Sequence, residues 1–476
     1  MKYDFDVVII GGGSAGMIAA EVAAEMGVRT ALVERSRIGG DCLWTGCVPS
    51  KALLASAKAA DTIRHAGHYG LDAGGLTVDT QSVWQRLKSI QHEIAATDDN
   101  PDRYSGMGVE VIIGEAQLAA HHLVQVGDRK LRTRFALVCT GSRPSVPPIE
   151  GLDAGYLTSE SVFELDRAPE SLLILGAGPI GVEMAQAMTR FGVPTTLLEL
   201  LPCILERDEP ALADMLSARL LAEGVDLRTG VDVVRVQRTS AGATVTGSAN
   251  AGEESWTAET ILIAAGRRPN IDSLRLDAVG VKTAPAGIVV DDRLRTTAGW
   301  IYAAGDCAGR YLLTHNAAAE AAAALRNMFF PGSAPAPAPV PWTTFTDPEL
   351  AHVGMTVGEA RKALGKKNTR VYRWDLAHSD RARADGATDG AIIVVTDDRF
   401  RIVGAHILAP GAGEMIGQFT LSIKNKLKLT PDFANLIQVY PTYSTSISQV
   451  AAEATYGQLR KPFLRTLRRL TSLIKR

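Results

Sequence analysis

The first run of apolar residues, Val7-Val8-Ile9-Ile10, is short, β-branched and free of polar alternation. That is the pattern of a strand covered on both faces, as in a parallel sheet. Gly11, Gly13 and Gly16 follow at once, and small residues then predict a helix from about Ala15 to Met26. A second strand, Thr30 to Val33, ends on Glu34. The same order returns further on. Leu172 to Leu175 is followed by Gly176, Gly178 and Gly181, a helix to about Phe191, and a strand Thr195 to Leu198 ending on Glu199. Two shorter apolar runs, Ala136 to Val138 and Ile261 to Ile263, open into Cys139-Thr140-Gly141 and Ala264-Ala265-Gly266, where each unit should close. Residues 331–341, PGSAPAPAPVP, read as a connector. Beyond it, strand-like Ala391 to Val395 and Ile402 to Leu408 alternate with helical stretches and predict a third, α+β domain.

Strand, glycine turn, helix, strand and acid, in that order, make a dinucleotide-binding unit, and here there are two, about 165 residues apart. In each, the first glycine allows a tight turn, the second lets a pyrophosphate approach the backbone, and the third lets helix and strand pack closely. The phosphates then sit on a helix N-terminus, where amides and the dipole favour anions. Glu34 and Glu199 are each placed to bind a ribose hydroxyl pair. Glu199 repels a 2′-phosphate, and no arginine follows it in Leu200-Leu201-Pro202-Cys203, so NADH is expected over NADPH. The fold class expected is α/β, with two Rossmann-like domains and a C-terminal α+β domain.

The length, 476 residues, suits about three domains of roughly 150 residues each. Lys+Arg 50 against Asp+Glu 52 gives a net charge of −2, which disfavours a nucleic-acid partner. No run of about 18 apolar residues predicts a membrane span. The start, Met1-Lys2-Tyr3-Asp4-Phe5-Asp6, lacks a basic segment, and glycines break the first apolar run, so no signal peptide is expected. Five cysteines in so long a chain are no secreted disulfide framework. A cytoplasmic setting is expected, in which a disulfide is more often chemical than structural.

Two of those cysteines, Cys42 and Cys47, lie five apart in Gly-Gly-Asp-Cys-Leu-Trp-Thr-Gly-Cys-Val-Pro-Ser-Lys, residues 39–51, near an expected helix start. A helix N-terminus lowers a thiol's pKa and favours thiolate chemistry. A zinc site needs a second pair, and Cys139, Cys203 and Cys307 stand singly, so no metal is expected. Two unlinked core cysteines are the bland alternative.

These segments resemble the class I pyridine nucleotide–disulfide oxidoreductases, a family that includes glutathione reductase, dihydrolipoyl dehydrogenase and mercuric reductase. Besides residues 39–51, the resemblance rests on the first glycine unit, on the GAGPIGVE segment, on Tyr302-Ala303-Ala304-Gly305-Asp306 and on Phe345-Thr346-Asp347-Pro348-Glu349. It implies that residues 1–150 with 267–335 bind FAD, that 151–266 bind the nicotinamide cofactor, and that 342–476 form a homodimer interface. It implies that Asp306 holds the flavin ribitol and that the helix after Thr314-His315 points its dipole at the flavin. Two readings of His315 stand, as that helix's cap or as a catalytic residue; the residues leave both open. By the resemblance, electrons pass from NADH through FAD to a Cys42–Cys47 disulfide and on to a small-molecule acceptor. Cys47 is then the inner, charge-transfer thiolate and Cys42 the outer, attacking thiol. Lys51 and Glu183 match an ion pair beside the flavin, with a plain structural salt bridge as the alternative.

The chain departs from that pattern at one place. Disulfide-reducing members carry His-Pro-Thr-x-x-Glu near the C-terminus, a base and its orienting acid contributed across the dimer. Here the segment reads Tyr440-Pro441-Thr442-Tyr443-Ser444-Thr445. A phenol with a pKa near ~10 is a poor base at neutral pH. Mercuric reductase is similar in carrying Tyr there, and residues 380–386, Asp-Arg-Ala-Arg-Ala-Asp-Gly, resemble proteins grouped with it. The adjacent cysteine pair that delivers mercury to that enzyme has no counterpart here. Three functions therefore stand. One is electron transfer to an acceptor with less need of a His base, such as a metal ion, a quinone or an unusual small disulfide. The second is a dihydrolipoyl dehydrogenase or glutathione-type reductase with a substituted base. The third is a poorly active redox sensor attached to a membrane or partner. The last segment, 459–476, has seven basic residues and no acid, and predicts an amphipathic helix. Such a helix suits peripheral contact with an anionic membrane, or packing on its own dimer.

Overall fold

The computed structural model describes residues 2–460 apart from 154, 240, 241, 250 and 251, so the basic segment 461–476 and its expected helix lie outside the described residues. The chain divides into two compact units. One comprises residues 1–60, 77–198 and 232–337; the other comprises 61–76, 199–231 and 338–476.

The first unit opens with β1 (Phe5–Ile10), α1 (Ser14–Glu25) and β2 (Thr30–Glu34). Two helices follow in quick succession, α2 (Gly40–Trp44) and α3 (Cys47–Arg64). β3 (Arg129–Val138) is much longer than the apolar run 136–138 suggests. Its outer half pairs antiparallel with residues 123–126 in a hairpin that needs only one covered face, so it alternates polar and apolar. Its inner half lies parallel to β1 and is buried from Ala136 to Val138.

The second glycine unit has the same frame: β4 (Leu172–Leu175), α4 (Pro179–Arg190) and β5 (Thr195–Glu199). β5 and β6 (Thr260–Ile263) flank β4, all parallel. Residues 232–258 form a three-stranded antiparallel sheet. The chain then returns to the first sheet, where β7 (Ile301–Ala303) pairs parallel with β3 at Ala136 to Val138. α5 (Thr314–Phe329) follows and packs its alanine face on α1 through Ala317, Ala321 and Ala324. Alanines on both helices allow this close approach, which apolar burial stabilises at about 25 cal/mol per Å².

In the second unit a mixed-length antiparallel sheet carries the core. Its strands are β8 (Trp342–Thr344), β9 (Glu349–Gly354), β10 (Arg370–Asp375), β11 (Ala391–Thr396) and β12 (Ile402–Ala409), in the order β8-β9-β12-β11-β10. β11 and β12 are buried nearly end to end, as their unbroken apolar runs require. Helix 412–424 and α6 (Thr445–Leu459) supply Phe419, Ile447 and Val450 to the same core. No helix among the described residues is long and apolar enough to cross a membrane.

Candidate functional site

Both glycine turns are built by steric necessity. A Cβ on Gly16 would lie 1.8 Å from the Gly11 carbonyl oxygen, and one on Gly181 would lie 1.9 Å from that of Gly176. Gly11 and Gly176 hold φ of +110° and +105°, where a side chain is strained. Gly178 differs, because nothing lies within 4 Å of a Cβ there. Gly13 is nearly as open, its nearest neighbour being the Gly40 Cα at 3.7 Å. Backbone kept bare beside open space at a helix N-terminus is what a pyrophosphate needs. Gly141 and Gly266 take positive φ and are equally open.

At the end of β2 the Glu34 carboxylate accepts the Gly12 N–H at 2.7 Å and the Ser36 N–H at 2.8 Å, which fixes it at the mouth of the first turn. Glu199 ends β5 and accepts the Leu201 N–H at 2.9 Å. Asp306 is largely buried and accepts the Ser142 hydroxyl at 2.6 Å; burial holds its pKa above the usual carboxylate value. The residues of the first turn, with Glu34, Thr140, Gly141 and Asp306, thus form a bare-backbone cradle with anchored carboxylates that fits FAD. Gly176, Gly178, Gly181 and Gly266 form a second bare-backbone turn that fits a dinucleotide.

Cys42 lies in α2, while Cys47 is the first residue of the 18-residue α3, at the positive end of its dipole. Between them a Cβ on Gly46 would sit 2.8 Å from the Asp41 carbonyl oxygen, so only glycine allows the chain to fold back there. Both cysteines are free thiols in this structure. The Cys47 sulfur lies 3.2 Å from the Thr314 hydroxyl at the start of α5. Its pKa is pushed down to about 6, first by a hydrogen bond from Cys42, then by Thr314 and the Lys51 charge, against the opposing effect of burial. The same bond, with burial, raises the Cys42 pKa. One thiolate and one thiol therefore share the pair, with the negative charge on Cys47.

Lys51 lies one turn along α3 from Cys47. Its Nζ is 3.0 Å from Glu183 of α4, whose side chain is 7% exposed. A cation and a buried anion from two segments thus stand behind the thiolate.

Two residues not singled out in the sequence organise this site. Arg267 donates to the Ser142 hydroxyl and carbonyl and pairs with Asp41, the residue before Cys42. Glu320 of α5, 1% exposed, accepts the Gly305 N–H at 2.8 Å and so fixes the turn that carries Asp306. Nothing in local spacing marks either residue, since their partners come from distant segments.

In the second unit, Tyr440 and Tyr443 both meet the Asp380–Asp385 segment. The Tyr440 hydroxyl donates to Asp380 at 2.7 Å and that of Tyr443 to Asp385 at 3.0 Å. Each bond favours the phenol over the phenolate and raises the tyrosine's pKa; for Tyr443 burial adds more. Thr445, in the place of the acid, bonds only locally, to Thr442 and the Val439 carbonyl. A carboxylate does face residue 440, but it comes from residue 380.

Two bare-backbone turns, each with a carboxylate after its second strand, and a dithiol at a helix N-terminus define a flavin-linked dithiol oxidoreductase. The comparisons agree. Residues 5–321 match the pyridine nucleotide-disulphide oxidoreductase family, and residues 340–451 match its dimerisation domain. The chain belongs to this family, which is FAD-dependent with NAD(P)H as electron donor. It is 32% identical to a dihydrolipoyl dehydrogenase of Bacillus subtilis, over 95% of this chain and 98% of that one. It is also 32% identical to a mercuric reductase of Bacillus cereus, over 89% of this chain and 67% of that one. Among solved structures it resembles the HOCl-induced flavoprotein disulfide reductase RclA of Escherichia coli, with 27% identity, a TM-score of 0.82, and coverage of 94% of this chain and 99% of that one.

Proposed function

We propose that the enzyme carries electrons from NADH to the Cys42–Cys47 pair and delivers them to an acceptor that needs no protonating base, a soft metal cation before any other. The observation that carries this reading is the Tyr440 hydroxyl, whose proton is committed to Asp380 at 2.7 Å. A phenol so held is a poor proton donor to a leaving thiolate: its bond to Asp380 raises its pKa above the free phenol value of ~10, while a thiol titrates near ~8.5. Bound FAD supplies the two-electron exchange between the nicotinamide and the dithiol. The chain's own residues do the rest. Glu34 and Glu199 hold ribose hydroxyls, and the bare glycines admit the pyrophosphates. The Cys42 bond, Thr314, Lys51 and the α3 dipole keep Cys47 as thiolate, so that Cys42 is the thiol presented outward. Dithiols are soft ligands and take soft cations. Support comes from relatives: one curated relative is named mercuric reductase, and RclA has been solved as a Cu(II) complex. A homodimer follows from the matched dimerisation domain and would bring Tyr440 to the partner's dithiol.

The test is steady-state NADH oxidation with mercuric ion, cupric ion, lipoamide, glutathione disulfide and quinones. Turnover is expected with a metal cation and lost in Cys42→Ser. Lipoamide as the best acceptor would overturn the reading. It would favour the second one, a disulfide reductase in which Asp380 stands in for the missing acid, as the identity to dihydrolipoyl dehydrogenases suggests.

A further inference from the structure

The second unit buries two histidines that the proposed reaction does not use. His352 and His406 face each other on adjacent strands, β9 and β12, and are 1% and 0% exposed. Their Nδ1 atoms are 3.1 Å apart. Each Nε2 faces a backbone carbonyl, His352 that of Gly354 at 2.9 Å and His406 that of Met355 at 3.1 Å. Trp342 of β8 stacks on His352 with ring centroids 3.7 Å apart and donates its indole N–H to Asp208 at 2.9 Å.

The hydrogen count decides the charge. Carbonyl oxygen, Nδ1, Nδ1 and carbonyl oxygen make three polar contacts in a row, and each needs one hydrogen to be attractive. Two neutral imidazoles carry two N–H groups. Any neutral arrangement leaves one contact with lone pair against lone pair, in a place no water reaches. A third proton fills all three contacts.

We propose that His352 and His406 share one proton between their Nδ1 atoms, a buried imidazole–imidazolium bridge that pins β9 and β12 to the Asp208–Glu209 turn. The counter-charges are at hand. Asp208 Oδ1 lies 4.0 Å from His352 Nδ1, and Glu209 Oε2 lies 4.0 Å from His406 Nε2. Glu209 in turn accepts the Val357 N–H at 2.9 Å. Of the other charges facing this cluster, Arg207 bears on His352 and Asp208, Glu359 on His406, and Arg361 on Glu209. Burial opposes charge on every member: it pushes both imidazoles down and Asp208 up to about 6. The third contact and the two carboxylates pull the other way, and removing the bridging proton would set the two Nδ1 lone pairs against each other beside Asp208.

The bridge makes the seat of residues 199–231 on the sheet proton-dependent. A pair whose folded affinity for a proton exceeds that of free histidine stabilises fully below about pH 6.5, and its contribution is lost as pH rises through the folded value. A pair kept neutral by burial has the opposite sign, losing stability as pH falls. The test is thermal unfolding of the FAD-loaded protein, wild type against His406→Gln, from about pH 6 to about pH 9. The wild type's advantage in Tm should be greatest at the acid end and shrink toward the alkaline end. A constant advantage, or one that grows with pH, overturns the proposal. Should His406→Gln fail to fold, the wild type labelled with nitrogen-15 histidine decides. Three ring N–H protons on this pair, one of them far downfield, are expected, and two with no downfield proton would refute the bridge.

Discussion

Cys47 shows how several modest effects combine on one atom. A thiol bond from Cys42, a hydroxyl bond from Thr314 and the Lys51 charge together outweigh burial and bring its pKa to about 6. The long-wavelength absorbance of the reduced holoenzyme should therefore titrate with a midpoint near that value. Cys42→Ala should raise the midpoint more than Lys51→Met does, because the Cys42 bond is the largest effect. Cys47→Ser should abolish the band. Folding depresses this acid, so its contribution to stability is complete above the unfolded thiol value of ~8.5 and is lost as pH falls toward about 6. The cysteine pair could be found from sequence because its spacing and flanking glycines are local. The partner of Tyr440 could not, since no periodicity links residues 380 and 440. That missing acid yields a prediction. Tyr440→His alone should raise lipoamide or glutathione disulfide turnover by about 10²-fold, because Asp380 is placed to orient the imidazole. Adding Asp380→Asn should remove the gain. No gain from Tyr440→His would show that Asp380 does not replace the acid.

At the scale of elements, glycines of one motif do different work. Gly181 is closed by the Gly176 carbonyl and Gly178 opens on empty space. Gly181→Ala should destabilise by about 1–3 kcal/mol, read from denaturant unfolding. Gly178→Ala should unfold like the wild type but raise KM for NADH. Equal stability losses would contradict the division. Glu199→Arg should move cofactor preference toward NADPH by about tenfold in kcat/KM, roughly 1.4 kcal/mol. The strand–turn–helix pattern was legible because buried parallel strands are uninterrupted apolar runs. The outer half of β3 was not, since a hairpin strand with one wet face offers no such run. The histidine bridge was hidden for a third reason: a lone histidine within an apolar strand reads as core until register sets it opposite another.

For the whole molecule, the matched dimerisation domain leaves a strongly apolar stretch bare on the single chain, with Ile437 95% exposed and Val439 77% exposed. Ile437→Asp should yield monomers by sedimentation that keep FAD but have lost acceptor turnover. Full activity in a monomer would sink the shared-site reading. A different consequence follows from the return of the chain to its first sheet. β7 joins β3 only after more than 160 intervening residues, and Asp306 arrives just behind it. On a ribosome making about 5–20 residues per second, the N-terminal third waits roughly ten to thirty seconds for its last strand. During that wait the inner half of β3 has a bare edge and Asp306 has not yet been made. Tight flavin binding is therefore expected only after Asp306 is made, and nascent chains stalled before residue 300 should emerge colourless and exposed to chaperones and proteases.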